Sequence, residues 1–355
     1  MATPLVRVLG VGVVGVALLT VYCALTTPTV LCLTVLVVLW AVYRWERRRA
    51  AGTVPLNDKH VLITGCDTGF GCGLAKRLHE LGCHVIATVL RPDGQGARDL
   101  RDVSSSRMTV QPLDVSSDKS VEECLRVVKN ICSNTGLWGL VNNAGVQSVG
   151  DLELTTMSQY LRVANVNLFG MVRTTRAFLP LIRQAKGRIV NVSSVKGRVS
   201  TPRSAAYNIS KYGVETFSDI VRLEMHQFGV KVIIIEPGQF GGIKDIENLK
   251  RLEKDFQDMW TEASDVVKEM YGQQHLQKLL QAVEADRGNG YPTMTPVITA
   301  MTTALTSGDP DLRYLIDGSN KLFDKFCVLI RLKSYISDRL LDQLTLSLFP
   351  YSIEK

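Results

Sequence analysis

Three side chains pose the chemical question. Tyr207 stands four residues before Lys211 in YNISK, and Ser194 ends VNVSS thirteen residues upstream of the tyrosine. A free phenol has a pKa of ~10, too high for easy proton transfer at neutral pH. An ammonium one helical turn away lies on the same face. There it stabilises phenolate and lowers that pKa. A serine hydroxyl can hold a carbonyl or alcohol oxygen. The three form a general acid–base device suited to work beside a hydride carrier. Singly, each has an ordinary structural reading, and a Tyr-to-Lys pair at this spacing occurs in many helices. A cofactor site elsewhere in the chain would give the set its meaning.

Such a site is written upstream. TGCDTGFG, residues 64–71, follows the short β-branched run HVLI and opens a helical pattern. Gly65, Gly69 and Gly71 let the backbone turn tightly and approach a pyrophosphate. The helix start offers free N–H groups and the positive end of the dipole. A glycine-rich turn alone is a weak signal, and the strand–turn–helix context strengthens it. Asp67 in this loop would sit near an adenosine ribose and repel a 2′-phosphate. That favours NAD, with NADP the alternative. The usual acidic residue ending the second strand is not evident in HVIATVLRPD, where Arg91 could instead accept a phosphate. Asp114 ends the third strand, placed either to contact the adenine amino group or to cap the next turn. The turn 142–145, NNAG, ends the fourth strand at the edge where ligands gather. Asn142, Ala144 and Gly145 are therefore candidates to brace the cofactor and the neighbouring strands.

The elements that must position these residues alternate. HVLITG, HVIATVL, MTVQPLDV, LWGLVNNAG, GRIVNVSS, GVKVIIIEPG and LRYLI read as strands, with helical stretches between them. This pattern predicts an α/β fold, a doubly wound parallel sheet of Rossmann type, over residues 59–320. Residues 244–290 are charged, helical and lack strands, and read as a flap beside the site. Residues 321–355 read as an amphipathic extension, either a packing helix pair or a membrane-surface element.

The N-terminus differs from the rest. Residues 8–43 carry no charge, and Arg44, Arg47, Arg48 and Arg49 follow. A span needs ~20 apolar residues, so this run is too long for one straight helix, and Pro28 is the natural break. Residues 1–50 therefore read as a membrane anchor of one or two transmembrane segments, with 51–58 a linker. The arginines predict that everything after residue 50 is cytosolic. The net charge of +7 suits anionic headgroups. Nucleic-acid binding would need a basic stripe with aromatics, which is lacking. Eight scattered cysteines without a CxxC pair imply no metal and reduced thiols.

TGxxxGxG, NNAG, the serine and YxxxK together resemble the short-chain dehydrogenase/reductase superfamily. The likeness covers roughly residues 59–320. It implies NAD(P)-dependent interconversion of an alcohol and a carbonyl, with Ser194, Tyr207 and Lys211 catalytic. By the same resemblance Asn167, in NVNLFG, is the fourth member, holding a water that relays protons past the lysine. Tyr207 and Lys211 also contact the cofactor, Lys211 at the nicotinamide ribose, and Pro237 and Gly238 form the turn beside the nicotinamide. Finer stretches are similar to a membrane-associated branch. It holds retinol dehydrogenases, hydroxysteroid dehydrogenases (the type 2 11-beta enzyme among them) and mitochondrial D-beta-hydroxybutyrate dehydrogenase. Lys196 and Arg203 depart from the branch pattern. Either they line the substrate pocket and favour an anionic substrate, or they point to solvent. Against an anion stand the anchor and a flap with Met259, Trp260, Met270 and Tyr271, which suit a lipid-soluble retinoid or steroid alcohol. The alternatives are a small hydroxy-acid dehydrogenase and a catalytically silent nucleotide-binding membrane scaffold. The expected membrane is the endoplasmic reticulum, with the mitochondrion second. By analogy with the family, the oligomer is a homodimer or homotetramer.

Overall fold

The computed structural model describes residues 30–43, 46–47, 49–103, 105–240, 249–287, 290–319 and 324–349. The chain divides into two compact units. The smaller holds residues up to Thr53 together with Ser307–Asp309. In it, residues 30–43 form a helix, α1, in which every side chain is exposed, Val30 and Trp40 among them at 58% and 60%. No helix among the described residues is long and apolar enough to cross a membrane. The part of the expected anchor before residue 30 lies outside the described residues.

The larger unit, Val54–Thr306 with Pro310–Lys355, is built on a sheet of seven parallel strands. They are β1 (His60–Ile63), β2 (His84–Val89), β3 (Met108–Pro112), β4 (Gly139–Asn142), β5 (Arg188–Val192), β6 (Lys231–Pro237) and β7 (Arg313–Ile316). Their order across the sheet is β3-β2-β1-β4-β5-β6-β7. The order reverses direction beside β1, which opens a crevice at the carboxyl ends of β1 and β4. All seven strands read from the sequence are present. The apolar runs of the central strands lack polar alternation because both faces are covered, whereas the edge strands β3 and β7 are largely half-buried. Val61 and Ile63 point into one core, shared with α2 (Gly69–Glu80) and α11 (Thr295–Thr306). Leu62 points into the other, shared with α4 (Asp118–Ile131), α6 (Met171–Gln184) and α7 (Ala205–Met225). Between β2 and β3 lies α3 (Gln95–Arg101).

The described part of the flap is helical, as expected: α8 (Leu249–Glu262), α9 (Asp265–Tyr271) and α10 (His275–Arg287). Its apolar side gathers Phe256, Met259, Tyr271 and Leu276 with Val149 and Leu154, from the stretch between β4 and α5 (Met157–Ala164). The extension forms α12 (Lys325–Leu332) and α13 (Asp338–Leu348). Phe326, Leu329 and Ile330 pack with Leu341, Leu344 and Phe349 against Val195 and Val199.

Candidate active site

The site begins where β1 and β4 end side by side, Ile63 opposite Val141. The Thr64 hydroxyl accepts from the backbone N–H groups of Asn143 and Ala144, each at 2.9 Å. The Asn143 amide donates to the carbonyls of Thr64 (2.8 Å) and Gly65 (3.0 Å). The glycine loop and the NNAG turn are thus one tied unit. Gly65 has a φ of +70°, and a Cβ there would stand 2.9 Å from Ala144 Cα. A Cβ on Gly71 would strike the Gly65 carbonyl oxygen and lie 2.6 Å from Asn143 Nδ2. Thr68, preceding α2, makes no side-chain cap to the helix. The first-turn N–H groups of α2 are therefore left by the cap for a ligand. A close-walled backbone cradle at an uncapped helix start fits a dinucleotide pyrophosphate.

Asp67 closes this cradle toward β2. Its carboxylate accepts from the backbone N–H groups of Leu90 and Arg91, both at 2.9 Å. It therefore lies just past the end of the second strand, where the sequence itself offers no acid. Asp114 accepts from the N–H (2.9 Å) and hydroxyl (2.7 Å) of Ser116, which is the turn-capping arrangement. Asn142 is buried, and its amide is filled by Thr174, Thr175 and Asn191. It braces strands and α6, whereas its neighbour Asn143 reaches the cofactor loop. Gly145 stands beside the ammonium of Lys211, which lies 3.9 Å from where a Cβ would be.

Asn167 sits in a π-helical turn, Asn165–Gly170, just before α6. Such turns often mark functional positions. Its amide exchanges two hydrogen bonds with the Val146 backbone (2.8 and 2.9 Å) and donates a third to Ser210 (3.0 Å). It locks the segment after NNAG onto α7. Ser194 follows β5, accepts from Lys196 N–H at 3.2 Å and lies 3.5 Å from the Pro237 carbonyl. Pro237 ends β6, and Gly238 packs so closely on Gly318 that a Cβ would lie 2.6 Å from its nitrogen. Tyr207 and Lys211 share one face of α7, with Lys211 Nζ 5.6 Å from the tyrosine ring centre. Lys211 is 4% exposed and donates to the Val192 carbonyl at 2.8 Å. Burial lowers its pKa to about 8, while the nearby charge of Glu215 raises it. Serine, tyrosine, lysine and asparagine are all held at the carboxyl edge of the sheet beside the cradle.

Lys196 and Arg203 turn to protein partners. Lys196 Nζ donates to the Ser204 hydroxyl at 3.0 Å and lies 5.9 Å from the Tyr207 ring centre. Arg203 holds a positive φ of 62°, and its guanidinium meets the buried carboxylate of Asp151 at 3.4 Å. The other Asp151 oxygen pairs with His275 of the flap at 2.6 Å. Tyr271, packed edge-on against His275, donates to Glu153 at 3.1 Å. Sequence reasoning did not single out Thr64, Asn143, Asp151 or His275. The first two lie inside quoted motifs, and the last two have no local signal.

The short chain dehydrogenase family description matches residues 59–246. The chain belongs to the short-chain dehydrogenase family. Its curated relatives include bovine (Bos taurus) mitochondrial D-beta-hydroxybutyrate dehydrogenase. That enzyme is 43% identical over 76% of this chain and 80% of its own length. Mouse (Mus musculus) retinol dehydrogenase 16 is 41% identical over 88% of this chain and 96% of its own. Among solved structures, a short-chain dehydrogenase from Streptomyces avermitilis superposes with a TM-score of 0.62. It is 26% identical, covering 81% of this chain and 94% of that one. This short-chain dehydrogenase is an NAD(P)-dependent alcohol oxidoreductase. The cofactor, when bound, exchanges hydride with the substrate carbon. The residues around it supply proton transfer and hold the reacting oxygen.

Proposed function

We propose that the protein is a membrane-anchored dehydrogenase that oxidises a lipophilic alcohol, a retinoid or a hydroxysteroid, with NAD. The observation that carries the substrate reading is the pairing of Arg203 with buried Asp151. That carboxylate offsets the guanidinium, which leaves it poorly placed to take a substrate carboxylate. The apolar side of the flap, with Met259 and Tyr271 buried in it, supports the same reading. In the reaction, Ser194 Oγ holds the substrate oxygen. Tyr207 as phenolate takes the hydroxyl proton, and the Lys211 ammonium stabilises the phenolate.

The NAD reading rests on Asp67, whose charge beside the end of β2 repels a 2′-phosphate. Asp67→Asn removes that charge. The ratio of kcat/KM with NADP to that with NAD is expected to rise about tenfold, the equivalent of ~1.4 kcal/mol. An unchanged ratio in steady-state kinetics would place cofactor choice elsewhere. The anchor reading rests on the uncharged run of residues 8–43 and the arginines after it. The fully exposed apolar surface of α1 agrees with it. We assign the endoplasmic reticulum, with the catalytic unit cytosolic, ahead of the mitochondrion.

A second reading, oxidation of a small hydroxy acid, is favoured by the ammonium of Lys196 near the Tyr207 ring. The 43% identity to D-beta-hydroxybutyrate dehydrogenase points the same way. NADH formation by detergent-solubilised protein separates the two. Retinol and 3-, 11- and 17-hydroxysteroids form one arm, D-3-hydroxybutyrate the other. Turnover confined to the hydroxy acid would overturn the lipophilic reading and make Lys196 the leading carboxylate contact.

A further inference from the structure

Beneath Lys211 lies a buried charge cluster that the proposed reaction leaves without a role. Glu215 is one helical turn beyond Lys211 on α7, the spacing at which side chains meet. It is 6% exposed, and Glu236 of β6 is 1% exposed. Arg313 of β7 reaches between them. One of its nitrogens donates to Glu215 and, at 2.9 Å, to Glu236. The other donates to Asp219 at 2.6 Å. Arg198 meets Glu236 at 3.0 Å, and Arg222 meets Asp219 at 3.1 Å. Gly197 fits where a Cβ would lie 2.7 Å from Ser193 Oγ, 3.0 Å from the Lys211 carbonyl and 3.1 Å from Glu215 Cγ. The end of β5 and this turn of α7 are therefore in close contact around Glu215.

Charge balance assigns the cluster a purpose. Arg313 is shared among three carboxylates, so it neutralises none of them alone. Glu236 has Arg198 as a second cation, and Asp219 has Arg222. For Glu215, the buried cation one helical turn away on α7 is Lys211. Burial raises the Glu215 pKa, and Glu236 raises it further. Arg313 pulls it down. On the lysine side, burial opposes the ammonium and Glu215 supports it. The Glu215 charge thus favours the ammonium of Lys211, whose burial opposes it.

We propose that Glu215 is a positioning residue for the acid–base step: its carboxylate, set by Arg313, holds Lys211 in the ammonium form that the Tyr207 phenolate requires. This rests on the reading of Tyr207 and Lys211 as the catalytic pair. The competing explanation is purely structural, with the cluster only joining α7 to β6 and β7.

The charge of Lys211 can be read without a substrate. Full-length protein in detergent, labelled at lysine Cε with carbon-13, is titrated by NMR, and the Lys211 signal is the one missing from Lys211→Met. The wild-type midpoint is expected at about 8. In Glu215→Gln, whose amide still accepts from Arg313, it should fall by about one pH unit. Asp219→Asn removes a carboxylate from the same arginine farther along α7, and should leave the midpoint in place. A wild-type midpoint in Glu215→Gln, or an equal displacement in Asp219→Asn, overturns the proposal. Should Glu215→Gln fail to fold, Glu215→Met removes the same charge at similar side-chain volume. It is then expected to lower the Lys211 midpoint by about one unit as well, and no displacement would sink the idea. If no alcohol is turned over, the functional reading fails while the titration still decides this one.

Discussion

Tyr207→Phe is expected to reduce kcat for alcohol oxidation about a thousandfold, within the range for losing a general acid–base group. Nucleotide affinity should stay within about twofold, because the lost group acts on the substrate proton. The change is small in shape. Phenylalanine keeps the ring that the ammoniums of Lys196 and Lys211 flank at 5.9 and 5.6 Å. It also keeps the half-buried packing of α7. Only the hydroxyl goes, and with it the one atom able to take the substrate proton at the carboxyl edge of β5. Ser194 cannot substitute, since a serine hydroxyl has no ammonium one turn away to stabilise its anion. NADH formation with the best substrate of the panel gives the rate, and NADH fluorescence titration gives the affinity. Retention of more than about a tenth of wild-type kcat would show that another base does the work. Unaltered physiological function would favour the silent-scaffold alternative instead.

The parts of this site that were legible in the sequence are those whose physics is local. A phenol and an ammonium on one helix face need only the 3.6-residue period. A glycine cradle needs only a strand, a turn and a helix start. The central strands were legible because they are short apolar runs covered on both faces, as Leu62 against Val61 and Ile63 illustrates. The short α3 was not, because it begins inside the turn-forming stretch RPDGQG and spans only seven residues. The π turn at Asn167 was not either, since nothing in NVNLFG distinguishes it from an α-helix. Asn142 reads from the sequence as bracing the cofactor and the neighbouring strands; it bonds to β5 and α6, while Asn143 reaches the glycine loop. Asp151 meets His275 across 124 residues and Glu215 meets Arg313 across 98. No spacing rule reaches that far, so the flap latch and the cluster beneath Lys211 required the fold.

The glycine cradle gives the second large effect. Gly71→Ala is expected to weaken NADH binding at least thirtyfold and to destabilise the protein by about 1–3 kcal/mol, the usual cost of overpacking. The added methyl would strike the Gly65 carbonyl oxygen and crowd Asn143 Nδ2 at 2.6 Å. Neither can retreat. Gly65 is pinned from the other side by Ala144 Cα, 2.9 Å from its own Cβ position, and its φ of +70° holds the turn. Asn143 is fixed by its bonds to the Thr64 and Gly65 carbonyls. The loop must therefore open, which separates the glycine turn from NNAG and swings the first N–H groups of α2 off the pyrophosphate. Gly73→Ala, two residues on, is the matched control. Its methyl would meet only the Cδ1 end of Ile298, at 2.5 Å. A flexible side-chain tip can give way where two hydrogen-bonded backbones cannot. Thermal unfolding and NADH fluorescence titration of both variants decide the matter. Wild-type affinity in Gly71→Ala would mean that the cradle yields and that the dinucleotide does not depend on its shape. An equal loss in Gly73→Ala would mean that packing of α2 as a whole, rather than the close approach of Gly71 to Gly65, governs binding.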